Sequence, residues 1–232
     1  MYPGQHPPDR IAYRMADSAE AITYGELEAA SNQAAHLYRE RGLTPGDGIA
    51  ILLGNEPDYL KIVWGAQRSG LYFTPISVLF SAAEIEYIVD NSDAKLLITR
   101  TAFADGIDLT AFDADVLLLD GDDPATNWFG QAGTQPTEPI ADETEGAEMV
   151  YSSGTTGTPK GILRNHWMRS AQMDRVSPNG YDDNARTLLS TPLYSNTTIV
   201  SFLPTLYGGS TVYLMPKFDA RRSEEHTSEL QS

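Results

Sequence analysis

From Thr23 to Leu119, helical segments with their own start and stop signals alternate with short apolar runs fenced by Gly and Pro. No other feature limits the possible folds as tightly. Thr23-Tyr-Gly-Glu26 is a capping box, in which the hydroxyl and the carboxylate each satisfy an orphan N–H at a helix start. Behind it Leu27, Ala30, Ala34, Leu37 and Tyr38 recur at helical spacing, and Gly42 supplies the stop. GIAILLG (Gly48 to Gly54) is the kind of run expected of a strand covered on both faces. A second helix is expected from Glu56 to Ser69, ending at Gly70, and a strand from Tyr72 to Ile76. Ser81-Ala-Ala-Glu84 is another capping box, opening a helix with Ile85, Ile88 and Val89 on one side. Lys95 to Thr99 and Val116 to Leu119 are further buried-strand candidates. Such alternation implies right-handed crossovers and an α/β fold of mostly parallel sheet flanked by helices. A helical bundle fits poorly with so many short β-rich runs.

Composition narrows the function classes. The chain has 232 residues, 41% of them hydrophobic, which is ample for a core. With 16 Lys and Arg against 32 Asp and Glu, its net charge of −16 argues against a nucleic-acid partner, because phosphate backbones are held by cations. The absence of cysteine removes disulfides, thiolate nucleophiles and Cys-ligated metals. MYPGQHPPDR has no apolar core of a secretory signal, and the longest aliphatic run, Ile49 to Leu53, is far too short for a membrane span. The expectation is a soluble, acidic, cytoplasmic protein with no integral membrane segment.

Between Asp105 and Glu148 there are twelve carboxylates and no Lys or Arg. A metal-binding or partner-binding loop is one reading; a solvated connector, anchored to the body by Trp128-Phe129, is the preferred one. After it come a strand over Ala147 to Tyr151 and the loop SSGTTGTPKG, Ser152 to Gly161. Gly154, Gly157 and Gly161 permit positive φ and close approach of the backbone to a ligand. Ser152, Ser153, Thr155, Thr156 and Thr158 add hydroxyls to a run of backbone N–H groups, a good nest for phosphate oxygens. Pro159 stiffens the exit and Lys160 offers a flexible cation. The spacing is not that of a Walker A loop, since Lys160 lies between Pro159 and Gly161. A generic linker would not combine spaced glycines, Pro and Lys directly after a strand. The four histidines lack a convincing chemical setting: His36 lies on a polar helix, His166 reads as a helix-start residue beside a packing Trp167, and no G-x-S-x-G elbow is present.

YSSGTTGTPKG closely resembles the phosphate-loop signature of the adenylate-forming superfamily: AMP-forming acyl-CoA synthetases, nonribosomal-peptide adenylation domains and luciferases. Three further segments resemble the same family in the same order: Ile22 to Leu60, Trp64 to Ile98 and Thr191 to Ala220. The resemblance implies a ligase in which a carboxylic acid, fatty or other acyl, attacks the α-phosphate of Mg-ATP. Pyrophosphate leaves, and the acyl-adenylate passes its acyl group to a thiol such as that of CoA. By resemblance, Ser152 to Lys160 would hold the β- and γ-phosphates, with Lys160 as the phosphate-contacting cation and Ser152 helping to order Mg2+. Tyr194, Ser195, Asn196 and Ile199 would line the substrate pocket. Here the sequence departs from the common Pro-Leu-aromatic-His pattern, because Ser195 stands where the His is usual. Ile199, Phe202 and Leu206 recur at helical spacing and read equally as core.

The family's adenine-stacking Tyr-Gly-x-Thr-Glu segment, its ribose-binding Asp, its hinge and its adenylation Lys have no counterpart in these residues. Arg222 to Ser232 match the in-frame translation of a common sequencing-library adapter at all eleven positions. The expectation is therefore the N-terminal part of the large domain of an adenylate-forming enzyme, truncated, inactive alone and poorly soluble. Residues 1–146 would be a first α/β subdomain with the acidic connector, 147–221 the start of a second carrying the phosphate loop, and 222–232 an adapter-derived tail. Oligomeric state is not readable. The alternatives are a nonribosomal-peptide adenylation fragment and a non-enzymatic nucleotide- or phosphate-binding module.

Overall fold

The computed structural model describes residues 3–152, 159–176 and 180–217. Its contacts divide the chain into two compact units. One comprises Met1–Ala29, Gly54–Lys61 and Trp167–Ser232; the other comprises Ala30–Leu53 and Ile62–His166.

The first unit is built on a four-stranded sheet. Its strands are β1 (Ile11–Met15) and β2 (Ala21–Thr23), with β9 (Arg186–Leu189) and β10 (Thr211–Leu214) from the far end of the chain. They lie in the order β2-β1-β10-β9. Only the β1–β2 hairpin is antiparallel. Helix α6 (Asn196–Tyr207) packs on β9 and β10.

The second unit holds a six-stranded sheet in the order β6-β5-β3-β4-β7-β8. Its strands are β3 (Gly48–Leu52), β4 (Tyr72–Pro75), β5 (Ala94–Thr99), β6 (Asp115–Leu118), β7 (Ala147–Ser152) and β8 (Lys160–Asn165). Every residue of β3 is buried, as its unbroken apolar run requires of a central strand. All its pairings are parallel except β7–β8. The mostly parallel α/β fold expected from the alternating pattern is therefore present. The expected division at 147 falls inside this sheet, because β7 pairs with β4 (Tyr72 opposite Ala147) and carries β8 with it.

Both capping boxes form. At α1 (Tyr24–Glu40) the Thr23 N–H donates to Glu26 at 2.8 Å and the Glu26 N–H to the Thr23 hydroxyl at 3.2 Å. At α3 (Ala82–Asn91) Ser81 and Glu84 do the same. Gly42, at φ +79°, ends α1: the Leu43 N–H reaches Tyr38 O at 3.0 Å and the Gly42 N–H reaches Arg39 O at 2.9 Å. That is the paired bonding of a Schellman stop.

Helix α2 (Asp58–Arg68) lies close against α1 in the second unit. A Cβ on Gly65 would fall 2.4 Å from Ala34 Cβ. Gly to Ala inside a helix normally stabilises by about 1 kcal/mol. Here Gly65→Ala is expected to destabilise instead, by about 1–3 kcal/mol through overpacking. A denaturant melt of the variant checks the sign.

The acidic connector is tied down by arginines. Arg39 meets Asp142 at 2.9 Å, Arg41 meets Asp115 at 3.3 Å and the fully buried Arg68 meets Glu143 at 3.5 Å. The Thr101 amide donates to Asp120 at 2.9 Å and its hydroxyl at 3.2 Å, which holds that carboxyl below its usual range. Trp128, 2% exposed, anchors the connector against Tyr38 with ring centroids 5.8 Å apart. The expectation is corrected for Phe129, which stays 44% exposed; on the short helix α4 (Trp128–Ala132) the two aromatic rings point apart. Among the described residues no cluster of His, Cys, Asp and Glu could hold a metal ion, and no helix is long and apolar enough to cross a membrane.

Candidate functional site

Two stretches of sequence carry the candidate residues, one in each unit. In the second unit the connector re-enters the sheet through backbone bonds from Thr144 to Arg68 O (3.0 Å) and from Ala147 to Leu71 O (3.0 Å). Strand β7 then runs to Ser152 and returns as β8 from Lys160, with Ser152 directly opposite Lys160. The two ends of the glycine-rich loop are thus held at the spacing of one strand pair, Cα atoms about 4.5–5.5 Å apart. Lys160 is exposed and Pro159 buried. Ser153, Gly154, Thr155, Thr156, Gly157 and Thr158 lie outside the described residues, as does the Ser152 side chain.

Gly161, which as a glycine permits a positive φ, does not take one. It stands opposite Tyr151, and a Cβ there would come within 3.1 Å of both Tyr151 Cζ and Met149 Sδ. Its place in this hairpin is set by side chains packed across the ladder. The Tyr151 hydroxyl donates to Asn91 Oδ1 at 2.8 Å at the end of α3, and burial pushes its phenol pKa up. Helix α5 (His166–Val176) begins at His166, as the sequence suggests.

In the first unit the segment Thr191 to Ser195 leads into α6. The Ser195 N–H bonds Pro192 O at 3.0 Å, and Ser195 takes the N-cap position without a capping bond from its side chain. Tyr194, Ser195 and Asn196 are half-buried at this turn. Ile199 is 7% exposed and shares a face with Phe202 (4%) and Leu206 (1%), the helical face that packs on the sheet. The structure thus groups Tyr194, Ser195 and Asn196 at the helix start and sets Ile199 in the core.

One residue of this turn was not singled out in the sequence. Asn55 accepts from the Leu193 N–H at 2.7 Å and donates to Thr191 O at 3.0 Å and Met215 O at 2.9 Å. It thereby joins the turn before α6 to the end of β10. Thr191 is further held by the hydroxyl of the fully buried Thr198, at 2.6 Å. In the sequence Asn55 sits in Gly-Asn-Glu-Pro, which reads as a turn after a strand. Nothing local marks it as a clamp on residues 136 positions away.

A family model described as AMP-binding enzyme matches residues 3–231. The chain belongs to that family. Its fold is that of the N-terminal part of the large domain of adenylate-forming enzymes. Gramicidin S synthase 2 of Brevibacillus brevis is 33% identical over 159 residues, 68% of this chain and 3% of that protein. The sulfoacetate–CoA ligase of Cupriavidus necator is 30% identical over 223 residues, 90% of this chain and 42% of the ligase. The apo crystal structure of MatB from Rhodopseudomonas palustris matches with a TM-score of 0.83 at 22% identity, over 95% of this chain and 45% of that one. The chain spans less than half the length of each.

Proposed function

We propose that this chain supplies the phosphate-binding part of an AMP-forming acid–thiol ligase. Such an enzyme activates a carboxylic acid with ATP, releases pyrophosphate, and passes the acyl group from the adenylate to CoA. The observation that carries this reading is the hairpin whose mouth sets Ser152 opposite Lys160, in a chain of the AMP-binding family. An exposed lysine beside a hydroxyl-rich loop suits the β- and γ-phosphates, where positioning and charge neutralisation matter most. The described residues offer no metal cluster, so magnesium is proposed to arrive on the nucleotide. For the acid, three of the four proposed wall residues, Tyr194, Ser195 and Asn196, are polar, and Ile199 is buried. That favours a polar acyl group over a fatty one.

Titration calorimetry with Mg-ATP tests the reading. Lys160→Ala is expected to weaken binding by about tenfold, the loss of one charge-assisted contact. Unchanged affinity would overturn the assignment. The isolated chain is further proposed not to catalyse carboxylate-dependent ATP–pyrophosphate exchange, because its sequence has no adenine-stacking or adenylation-lysine motif. A carrier-protein thiol as acceptor is the second reading, favoured by the 33% identity to gramicidin S synthase 2. Sequencing the source DNA for a carrier domain downstream separates the two.

A further inference from the structure

Lys160 shares its face of β8 with Ile162 and Arg164, and across the ladder these stand opposite Ser152, Val150 and Glu148. Glu148 is 3% exposed and is the single carboxylate of β7. The residue directly opposite it is a cation, Arg164, at the separation where opposed side chains interact, about 4.5–5.5 Å between Cβ atoms.

Apart from Gly161 opposite Tyr151, the uncharged pairs of the hairpin do little to specify its register. Met149 faces Leu163 and Val150 faces Ile162, so both faces of the ladder are apolar. On β8 itself, Ile162 is 48% and Leu163 45% exposed, which gives neither face a strong claim to the interior. Strands with two similar faces slip readily, and a one-residue slip turns every side chain over. Here such a slip would move Lys160 to the opposite face. A two-residue slip would set Glu148 against Ile162 or His166. Either leaves a buried carboxylate without its opposing cation, a costly state.

We propose that Glu148 and Arg164 are the register lock of the hairpin, and so act as positioning residues for Lys160. The second half of that statement rests on the phosphate-binding reading above; the first does not. Because the chain has no cysteine of its own, register can be read directly by cross-linking. Val150→Cys with Ile162→Cys places two thiols directly opposite each other, within disulfide reach.

In that background the disulfide is expected to form readily on mild oxidation. Arg164→Ala is expected to lower its yield severalfold and to weaken Mg-ATP binding about tenfold, whereas Arg164→Lys, which keeps the charge, retains both. Should Arg164→Ala fail to fold, the double variant E148Q/R164Q leaves no buried charge unpaired and carries the same prediction. An unchanged disulfide yield in the neutral variants overturns the lock, whatever the nucleotide does. A reduced yield in a chain that never bound Mg-ATP supports the lock and counts only against the phosphate-binding reading.

Discussion

Tyr38→Ala is expected to cost about 3–5 kcal/mol of stability, the range for removing a large aromatic from a packed core. Tyr38 is fully buried on α1, and its hydroxyl donates to Ile62 O at 3.0 Å. It also packs against Trp128, the residue that anchors the acidic connector. Burial holds the phenol far above its usual pKa, so it stays protonated and the hydrogen bond is kept at any ordinary pH. The truncation would open a cavity, take a second donor from the Ile62 carbonyl and loosen the connector together. Tyr38→Phe removes only the hydroxyl and should cost about 1–2 kcal/mol. A urea titration followed by tryptophan fluorescence reads both, and equal midpoints for the two variants would refute the packing argument.

The second large effect is expected at Asn55. Asn55→Ala leaves the Leu193 N–H and the Thr191 and Met215 carbonyls without their side-chain partner. Groups left partly buried and unpaired cost about 1–3 kcal/mol each, and water reaching this half-buried site offsets part of that, so a net loss of about 2–4 kcal/mol is expected. Asn55→Asp has nearly the same shape and keeps one acceptor, but sets a carboxylate oxygen against two carbonyl oxygens. It should therefore be destabilising as well, although a substitution judged by size would pass as neutral. Hydrogen exchange at the Leu193 amide gives the local readout. An amide as protected in Asn55→Ala as in the unsubstituted chain would show that the clamp does not hold the turn.

Much of the fold was legible along the chain. The capping boxes at Thr23–Glu26 and Ser81–Glu84 and the stop at Gly42 each form where the residues place them. The buried strands β3 and β5 likewise stand where glycine-bounded or apolar runs announce them. These signals are short-range: a cap, a left-handed glycine and an apolar run each depend on residues a few positions apart. The strands β1, β8 and β9 went unread because their runs are brief and mixed. Ile-Ala-Tyr-Arg-Met and Lys-Gly-Ile-Leu-Arg-Asn show no clean alternation. The antiparallel return of β8 was hidden by its position, since Lys160 and Gly161 read as the exit of a loop rather than the start of a strand.

The candidate site divides in the same way. The loop from Ser152 to Gly161 stands out along the chain, because its glycines, hydroxyls and lysine are neighbours in sequence and together suit a phosphate nest. The roles of Asn55, Glu148 and Arg164 are not. Asn55 depends on Thr191 and Met215 being brought to it, and Glu148 comes to stand opposite Arg164 only when β8 turns back in one register.

By itself, then, the sequence determined the capped helices, the apolar central strands and the α/β class. Tertiary structure decided which distant strands meet, as when Tyr13 of β1 pairs with Val212 of β10. It also decided that Gly161 lies under Tyr151, and which polar side chain clamps which turn. The physical reason is that local hydrogen bonds and periodicity are written in neighbouring residues. Long-range pairing is settled by which arrangement buries the most apolar surface while leaving no buried polar group alone.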